Sequence, residues 1–497
     1  MISLTVMTGA VMSAIDTSIV NVALPYMRGN MGATVEEIAW VSTAYMLANV
    51  IIMPIVGLLS SRYGRANIYL WSIIVFTVSS FLCGIAWDLQ SMIFFRVIQG
   101  IGGGCIIPIS QAILRESFSA EKQGLAMGVF GLGVVMGPAF GPTIGGWLTD
   151  NYSWPWIFFI NLPIGILNIY LITRYIKDPD YLVRKKERLD HWGLGLLIVG
   201  LGALQIMLEK GESKDWFASD YIRTLGITAA VGLTLFVWRE LKAEKPAVDL
   251  RLLKNITFAT GTMIGGVFGI SLFASLFVLP IFLQQLLHYP ALDSGLAMMP
   301  RSLTMAVTML VSGRLYSVTG PKPLIGVGLI VSAFSFWQLS VLSMDTGYWD
   351  IFYPQVLQGI GFGMVFVSLS TVTLSAIEKS KMTDATGLYN VVRQVFGSVG
   401  IALSATFLSR YQNVYYQQLS EKITMVNDSL GTWVNTLTAG FFAKGYDAET
   451  AKMMGYKMIN SLVTANGAMM AFNKVFFLVT VMFIISFPLI FLLKVKK

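Results

Sequence analysis

Charge is scarce in this chain. Of 497 residues only 12% are charged, where soluble domains run near ~25%, and that shortage excludes an ordinary water-soluble fold. Cysteine is nearly absent: Cys83 and Cys105 both fall inside apolar runs, so neither a disulfide framework nor a thiolate zinc site is expected. His191 and His288 are the only histidines and stand too far apart for metal chemistry. No G-x-x-x-x-G-K-[ST] loop occurs, so the phosphate cradle of an ATP-driven pump is missing, and no residue cluster suggests an enzyme.

What the sequence does have is apolar length. Hydrophobic residues make up 55% and the mean hydropathy is +0.67. Runs of about 20 apolar residues, enough to cross ~30 Å of hydrocarbon, recur from end to end. They place spans near 2–26, 38–60, 67–86, 90–114, 123–148, 154–175, 192–210, 222–240, 256–286, 293–315, 323–343, 350–376, 385–410 and 472–493. The expectation is an all-α polytopic membrane protein of about fourteen helices. The first run lacks a basic leader and a small-residue cleavage site, so it is expected to be retained as a span.

The basic residues fix an orientation. Alternate loops carry Arg62 and Arg65; Arg115 and Lys122; Arg174, Lys177, Arg184, Lys185, Lys186 and Arg188; Arg239, Lys242, Lys245, Arg251 and Lys254; and Lys494, Lys496 and Lys497. The opposite short loops hold little beyond Arg28 and Lys214. Lys and Arg favour the cytoplasmic side, so both termini are expected there. This asymmetry accounts for the net charge of +8 and makes a nucleic-acid partner unnecessary.

The chain also repeats itself. "GLLSSRYGR" from Gly57 shares its spacing with "GRLYSVTGP" from Gly313, and "VIQGIGGG" from Val97 matches "VLQGIGFG" from Val356. The offsets, 313−57 = 256 and 356−97 = 259, nearly agree. Two six-helix halves in one orientation follow: residues 1–175, and residues 256–497 with a polar external lobe at 411–471. Between them, 176–255 supplies a basic cytoplasmic linker and an inserted helix pair. Within the lobe, "DAETAKMMGYKMINSLV" from Asp447 has an N-cap residue, an acidic first turn and apolar residues at helical spacing.

Ionisable groups inside spans cost several kcal/mol unless paired or hydrated, and so face the bundle interior. Asp16 lies about nine residues from the end of the first span and Arg96 about six from the end of the fourth, or ~13 and ~9 Å below one interface at 1.5 Å per residue. They share one layer. A buried carboxylate beside an arginine can take up and release a proton when its surroundings change, which makes Asp16 the candidate proton carrier, or the place where proton and cation compete, and Arg96 its partner. Arg301 and Arg393 are the second half's membrane cations, and Glu209 ends the first inserted helix near an interface. In the fifth span Gly133, Gly137, Gly141 and Gly145 recur at every fourth position, with Gly146 beside them and Pro138 and Pro142 interposed. Small residues at that spacing admit a close helix neighbour, while the prolines bend the path; such an element could flex or seal.

The first span "IDTSIVNVALP", the loop "GLLSSRYGR", the fourth span "RVIQGIGGG" and the fifth "GPAFGPTIGGWL" resemble, in order, the signatures of the major facilitator superfamily. The Gly-Pro motif is similar to that of its drug:proton antiporters, and the inserted pair resembles the fourteen-helix branch. "LQIMLEKGESKDWF" from Leu204 and the long loop before the last span resemble the inner-membrane pumps of tripartite multidrug exporters. The resemblance implies alternating access of two bundles and proton-driven export of hydrophobic or cationic small molecules across a bacterial inner membrane. It implies no cofactor beyond the proton gradient, and partners in the lipid bilayer, a periplasmic adaptor (membrane-fusion) protein and, through it, an outer-membrane channel. An exporter of one endogenous metabolite, a siderophore or fatty acid, is the alternative. Gly57, Arg62, Gly64 and Arg65 match the family's cytoplasmic loop, whereas Ser61 stands where the family usually has an acid.

Overall fold

The computed structural model describes residues 1–178, 190–244, 246–422 and 428–494. Arg184, Lys185, Lys186, Arg188, Lys245, Lys496 and Lys497 of the basic loops lie outside them. Among the described residues every regular element is helical, as expected where hydrocarbon offers the backbone no partners and each segment must satisfy its own N–H and C=O groups. The helices in chain order are α1 Ile2–Met31, α2 Val35–Tyr63, α3 Arg65–Gly84, α4 Leu89–Ser117, α5 Ala120–Asn151, α6 Trp156–Tyr175, α7 His191–Lys210 and α8 Asp220–Lys242. The second half continues with α9 Ile256–Leu286, α10 Ala291–Thr319, α11 Pro321–Leu339, α12 Tyr348–Ser375, α13 Met382–Lys422, α14 Asp428–Ala443 and α15 Ala448–Ser486. Among the described residues thirteen helices are long and apolar enough to cross a membrane. The remaining long helix, α10, carries Asp293, Arg301 and Arg314 and packs among them against α5 and α12.

The repeat in the sequence is a repeat in the packing. Within the first half α1 lies on α5, and α4 on α2 and α3; within the second, α9 lies on α13, and α12 on α10 and α11. In both copies of the Gly-rich motif the glycines sit where another backbone passes. A Cβ on Gly104 would come within 2.5 Å of Asn49 O of α2, and one on Gly363 within 2.9 Å of Met305 O of α10. Dispersion between closely packed helices supplies the attraction that hydrophobic burial cannot supply inside lipid.

The halves meet at the end of the bundle that carries the basic loops. There Arg65 Nη2 donates to Lys379 O at 3.0 Å, and Asn390 Nδ2 to Gln111 Oε1 at 2.6 Å. A Cβ on Gly124 would stand 2.6 Å from Gly313 O, and one on Gly387 2.6 Å from Met53 O. At the opposite end, the 411–471 segment is built from bundle helices that run on: α13 continues to Lys422, α15 begins at Ala448, and α14 packs on α15. Tyr411 and Tyr415 stack there with centroids 5.9 Å apart. Asp447 caps α15, accepting from the N–H groups of Glu449 at 3.1 Å and Thr450 at 3.0 Å. Its bonds with Thr450 hold the carboxyl below the usual carboxylate range.

Candidate functional site

Asp16 projects from the middle of α1, and Arg96 lies two turns into α4. The start of α4 is fixed by a capping box in which Asp88 Oδ1 accepts from Ser91 N at 2.7 Å and Ser91 Oγ accepts from Asp88 N at 3.2 Å. The backbone N–H of Ser91 holds the Asp88 carboxyl below its usual range. Gln99 follows Arg96 by three residues and so shares its face; Asn161 enters from α6. None of these four site residues is more than 1% exposed.

Arg96 Nη1 donates to Asp16 Oδ2 at 2.7 Å and to Gln99 Oε1 at 2.7 Å. The other carboxylate oxygen, Oδ1, accepts from Gln99 Nε2 at 2.9 Å and from Asn161 Nδ2 at 3.1 Å. Arg96 Nε is taken by Val41 O at 3.0 Å, and its guanidinium lies 4.2 Å from the Tyr45 ring centroid and 5.8 Å from that of Phe158. Asn161 Nδ2 also reaches Ser80 Oγ at 3.0 Å, which donates to Phe158 O at 2.9 Å. A fully desolvated ion pair repays its burial only when the remaining lone pairs and protons are also bonded, and here both oxygens and two guanidinium nitrogens are. The arrangement is a carboxylate whose charge is locked by one cation and two amides on two other helices, α4 and α6. Adding a proton to it would cancel the charge that Arg96 Nη1 faces, while the bonds of Arg96 to Val41 O and of Asn161 to Ser80 Oγ do not involve the carboxylate.

The shared depth of Asp16 and Arg96 could be counted from the sequence. Gln99, Asn161 and Tyr45 were not singled out, because an amide or phenol in an apolar helix has no spacing signal; only the Arg96–Gln99 interval marks one face. The glycine stripe of α5 lies on α1: Gly133 against Met7, Gly137 against Ala14, Gly141 against Ser18 and Gly145 against Ile19. Ser18 Oγ donates to Gly137 O at 2.8 Å, whereas a Cβ on Gly146 would meet another helix no closer than Val22 Cγ1 at 3.9 Å. Helix α5 runs unbroken through Pro138 and Pro142. The stripe therefore grips the segment of α1 that bears Asp16.

The other residues lie apart from this site. Arg301 is buried in the second half, where Nη1 donates to Ser275 Oγ at 2.7 Å. Arg393 is half-buried, with its guanidinium 5.3 Å from the Phe366 ring. Glu209 is exposed and accepts from Thr43 of α2. In the basic loop Arg62 lies over Tyr63, 5.4 Å from its centroid, Gly64 takes the left-handed φ of +89°, and Arg65 pairs with Glu116 at the end of α4. Ser61 Oγ donates within its own helix, to Leu58 O at 2.9 Å. An acid is nevertheless present at the junction: Asp384, from α13 of the other half, packs its carboxylate against Gly57.

Comparison with known proteins agrees with this architecture. The Major Facilitator Superfamily family model matches residues 6–401. The chain is 34% identical over 483 residues to the fatty acid resistance protein FarB of Neisseria gonorrhoeae, covering 97% of this chain and 94% of that one. It is 31% identical over 484 residues to the multidrug export protein EmrB of Escherichia coli (strain K12), with 97% and 93% covered. Among solved structures, the human organic anion transporter MFSD10 (TETRAN) superposes with a TM-score of 0.61 at 13% identity, over 98% of both chains, a likeness of fold alone. With its many membrane-spanning helices, its repeated halves and this match over most of its length, the chain is a multi-pass membrane protein that belongs to the major facilitator superfamily.

Proposed function

We propose that this transporter exports hydrophobic, often cationic, small molecules in exchange for protons, and that Asp16 carries the proton. The observation that supports the reading most is the Asp16 carboxylate, 0% exposed and held by Arg96 and Gln99 from α4 and by Asn161 from α6. A proton arriving on Asp16 cancels the charge that pins Arg96, so α1, α4 and α6 lose their common tie and can repack; a cationic substrate competes for the same negative charge. The halves, joined at the basic end, then part there and close at the other end. No cofactor is needed beyond the proton gradient. The names of the relatives, a multidrug export protein and a fatty acid resistance protein, favour efflux.

The test is substrate-induced proton release from purified protein. Asp16→Asn should abolish it and Asp16→Glu should keep part of it, because the longer acid still titrates. Undiminished release from Asp16→Asn would assign the proton to another residue.

In the same reading the membrane is a bacterial inner membrane with both termini cytoplasmic. The extension formed by α13, α14 and α15 then faces the periplasm and docks an adaptor protein leading to an outer-membrane channel. Trp433, Phe442 and Met453, each more than half exposed, give that extension apolar surface to cover. An impermeant thiol reagent on intact cells should label Asn435→Cys and spare Lys254→Cys, and the reverse pattern would invert the orientation. An exporter of one endogenous compound, such as a fatty acid or a siderophore, is the second reading, favoured by the name of the FarB relative. A resistance profile confined to fatty acids would select it.

A further inference from the structure

The first-half site has a counterpart in the second half, and the counterpart has lost its acid. Gln99 and Gln358 occupy the same place in the repeated motif, 259 residues apart (358−99). The same interval carries Asp16 of α1 to Ser275 of α9 (275−16) and Arg96 of α4 to Gln355 of α12 (355−96). The structure keeps the pairing: Asp16 Oδ1 accepts from Gln99 Nε2 at 2.9 Å, and Ser275 Oγ donates to Gln358 Oε1 at 3.1 Å. Where the first half places a carboxylate, the second places a hydroxyl.

The cation is still there, but it comes from a different helix. Arg301 enters from α10, is 3% exposed, and donates through Nη1 to Ser275 Oγ at 2.7 Å and to Gln358 Oε1 at 3.5 Å. Among the described residues no carboxylate pairs with it, in contrast to Arg96 and Arg65. The donors beside it are also unused. Gln358 Nε2 has no hydrogen-bond partner, and neither amide atom of Gln355, one turn earlier on the same helix, has one; both glutamines are 0% exposed. Because Gln358 Oε1 is taken by Arg301 and Ser275, its free atom must be the N–H₂ donor. A water molecule could satisfy that amide, but it could not answer the guanidinium charge, and an unpaired buried charge is costly.

We propose that this second-half site binds a singly charged anion, which takes the place that the Asp16 carboxylate fills in the first half. Arg301 supplies the charge, and Gln358 Nε2, with the Gln355 amide, supplies neutral donors. The anion comes either from solution, as a halide, or as the carboxylate head of an amphiphilic substrate. The carboxylate source rests on the transport reading above; the halide source does not.

The test uses the full-length protein in phosphatidylcholine nanodiscs in a sulfate buffer, with unfolding followed by the fluorescence of its 12 tryptophans. Added chloride or laurate should raise the wild-type midpoint by several degrees, and methyl laurate, which has the chain without the charge, should not. A response to chloride marks the free-ion source, and a response to laurate alone marks the substrate carboxylate. Arg301→Met should remove the response and Arg301→Lys should retain it at weaker affinity. Gln358→Leu should weaken it about tenfold and serves as the test if Arg301→Met does not fold. The proposal is overturned if neither anion raises the wild-type midpoint, or if Arg301→Met, or Gln358→Leu in its place, responds as the wild type does. The readout is equilibrium binding without a proton gradient, so its failure is distinct from a failure of proton coupling.

Discussion

At the scale of single residues, the buried pair sets the terms for every substitution around it. Asp16→Asn leaves Arg96 charged in a site with almost no access to water, and removing one partner of a buried pair costs about 3–5 kcal/mol. Arg96→Leu strands the carboxylate in the same way. The double substitution removes both charges, so its cost should fall at least about 1 kcal/mol short of the sum of the two single ones. Substrate-induced proton release should be lost in all three. Denaturant unfolding in detergent gives the stabilities, and additive costs would mean that the two side chains do not act as a pair. Asp447 makes a prediction of its own, because its carboxyl is held below the usual range. A depressed acid contributes stability above its unfolded pKa and loses it as pH falls through the folded one. The first turn of α15 should therefore fray in acid, seen as lower amide-exchange protection factors at residues 448–452 below about pH 4. Protection factors that stay unchanged across that range would remove the cap from the account.

Among the helices, the α5 stripe divides into positions that are full and positions that are free. Gly137 meets the backbone of Ala14, two residues from Asp16 on α1, so Gly137→Val must push α5 away and should cost about 2–3 kcal/mol, with transport lost through displacement of α1. Gly146, where an added Cβ would meet Val22 Cγ1 at an ordinary 3.9 Å, should accept alanine with a stability change of no more than about 1 kcal/mol. Thermal midpoints of the two variants check this, and equal effects would show that the stripe is not a packing surface. The glycine spacing was legible in the sequence, but its partner was not, since small residues every fourth position say only that some helix approaches. The same limit applies to α13 and α15. Hydropathy ends those spans near 410 and begins the last near 472, because Arg410, Gln412, Asn413 and their neighbours are polar; the helical period continues through them, and Tyr411 and Tyr415 pack against α15 while the polar face stays wet. The spans came from long apolar runs, and the repeat from two motifs that recur at nearly the same offset. Arg301 and Ser275 could be numbered but not paired, because the cation had moved from the fourth helix of its half to the second.

Across the whole molecule, the question is which contacts must break for the halves to rock. Those at the basic end include Gly57 against Asp384, Arg65 on Lys379 O, Asn390 on Gln111, Gly387 against Met53 O and, where α5 packs along α10, Gly124 against Gly313. Helices α5 and α10 cross at the last of these with backbones nearly touching, so a cysteine on each would meet its partner directly. The native thiols, Cys83 and Cys105, are buried and can be replaced by serine without confusing the result. In that background, oxidising Gly124→Cys with Gly313→Cys should form a disulfide that ties the halves at the basic end. Export and proton exchange should both stop, and a reductant should restore them. If the halves part at this end during each cycle, crosslinking should also slow when a transported compound favours the opposite state, since the two positions then separate by more than the ~7 Å that a disulfide spans between Cα atoms. Full transport by the crosslinked protein would show that the basic end does not open, and rocking of the two bundles about a central site would have to be given up.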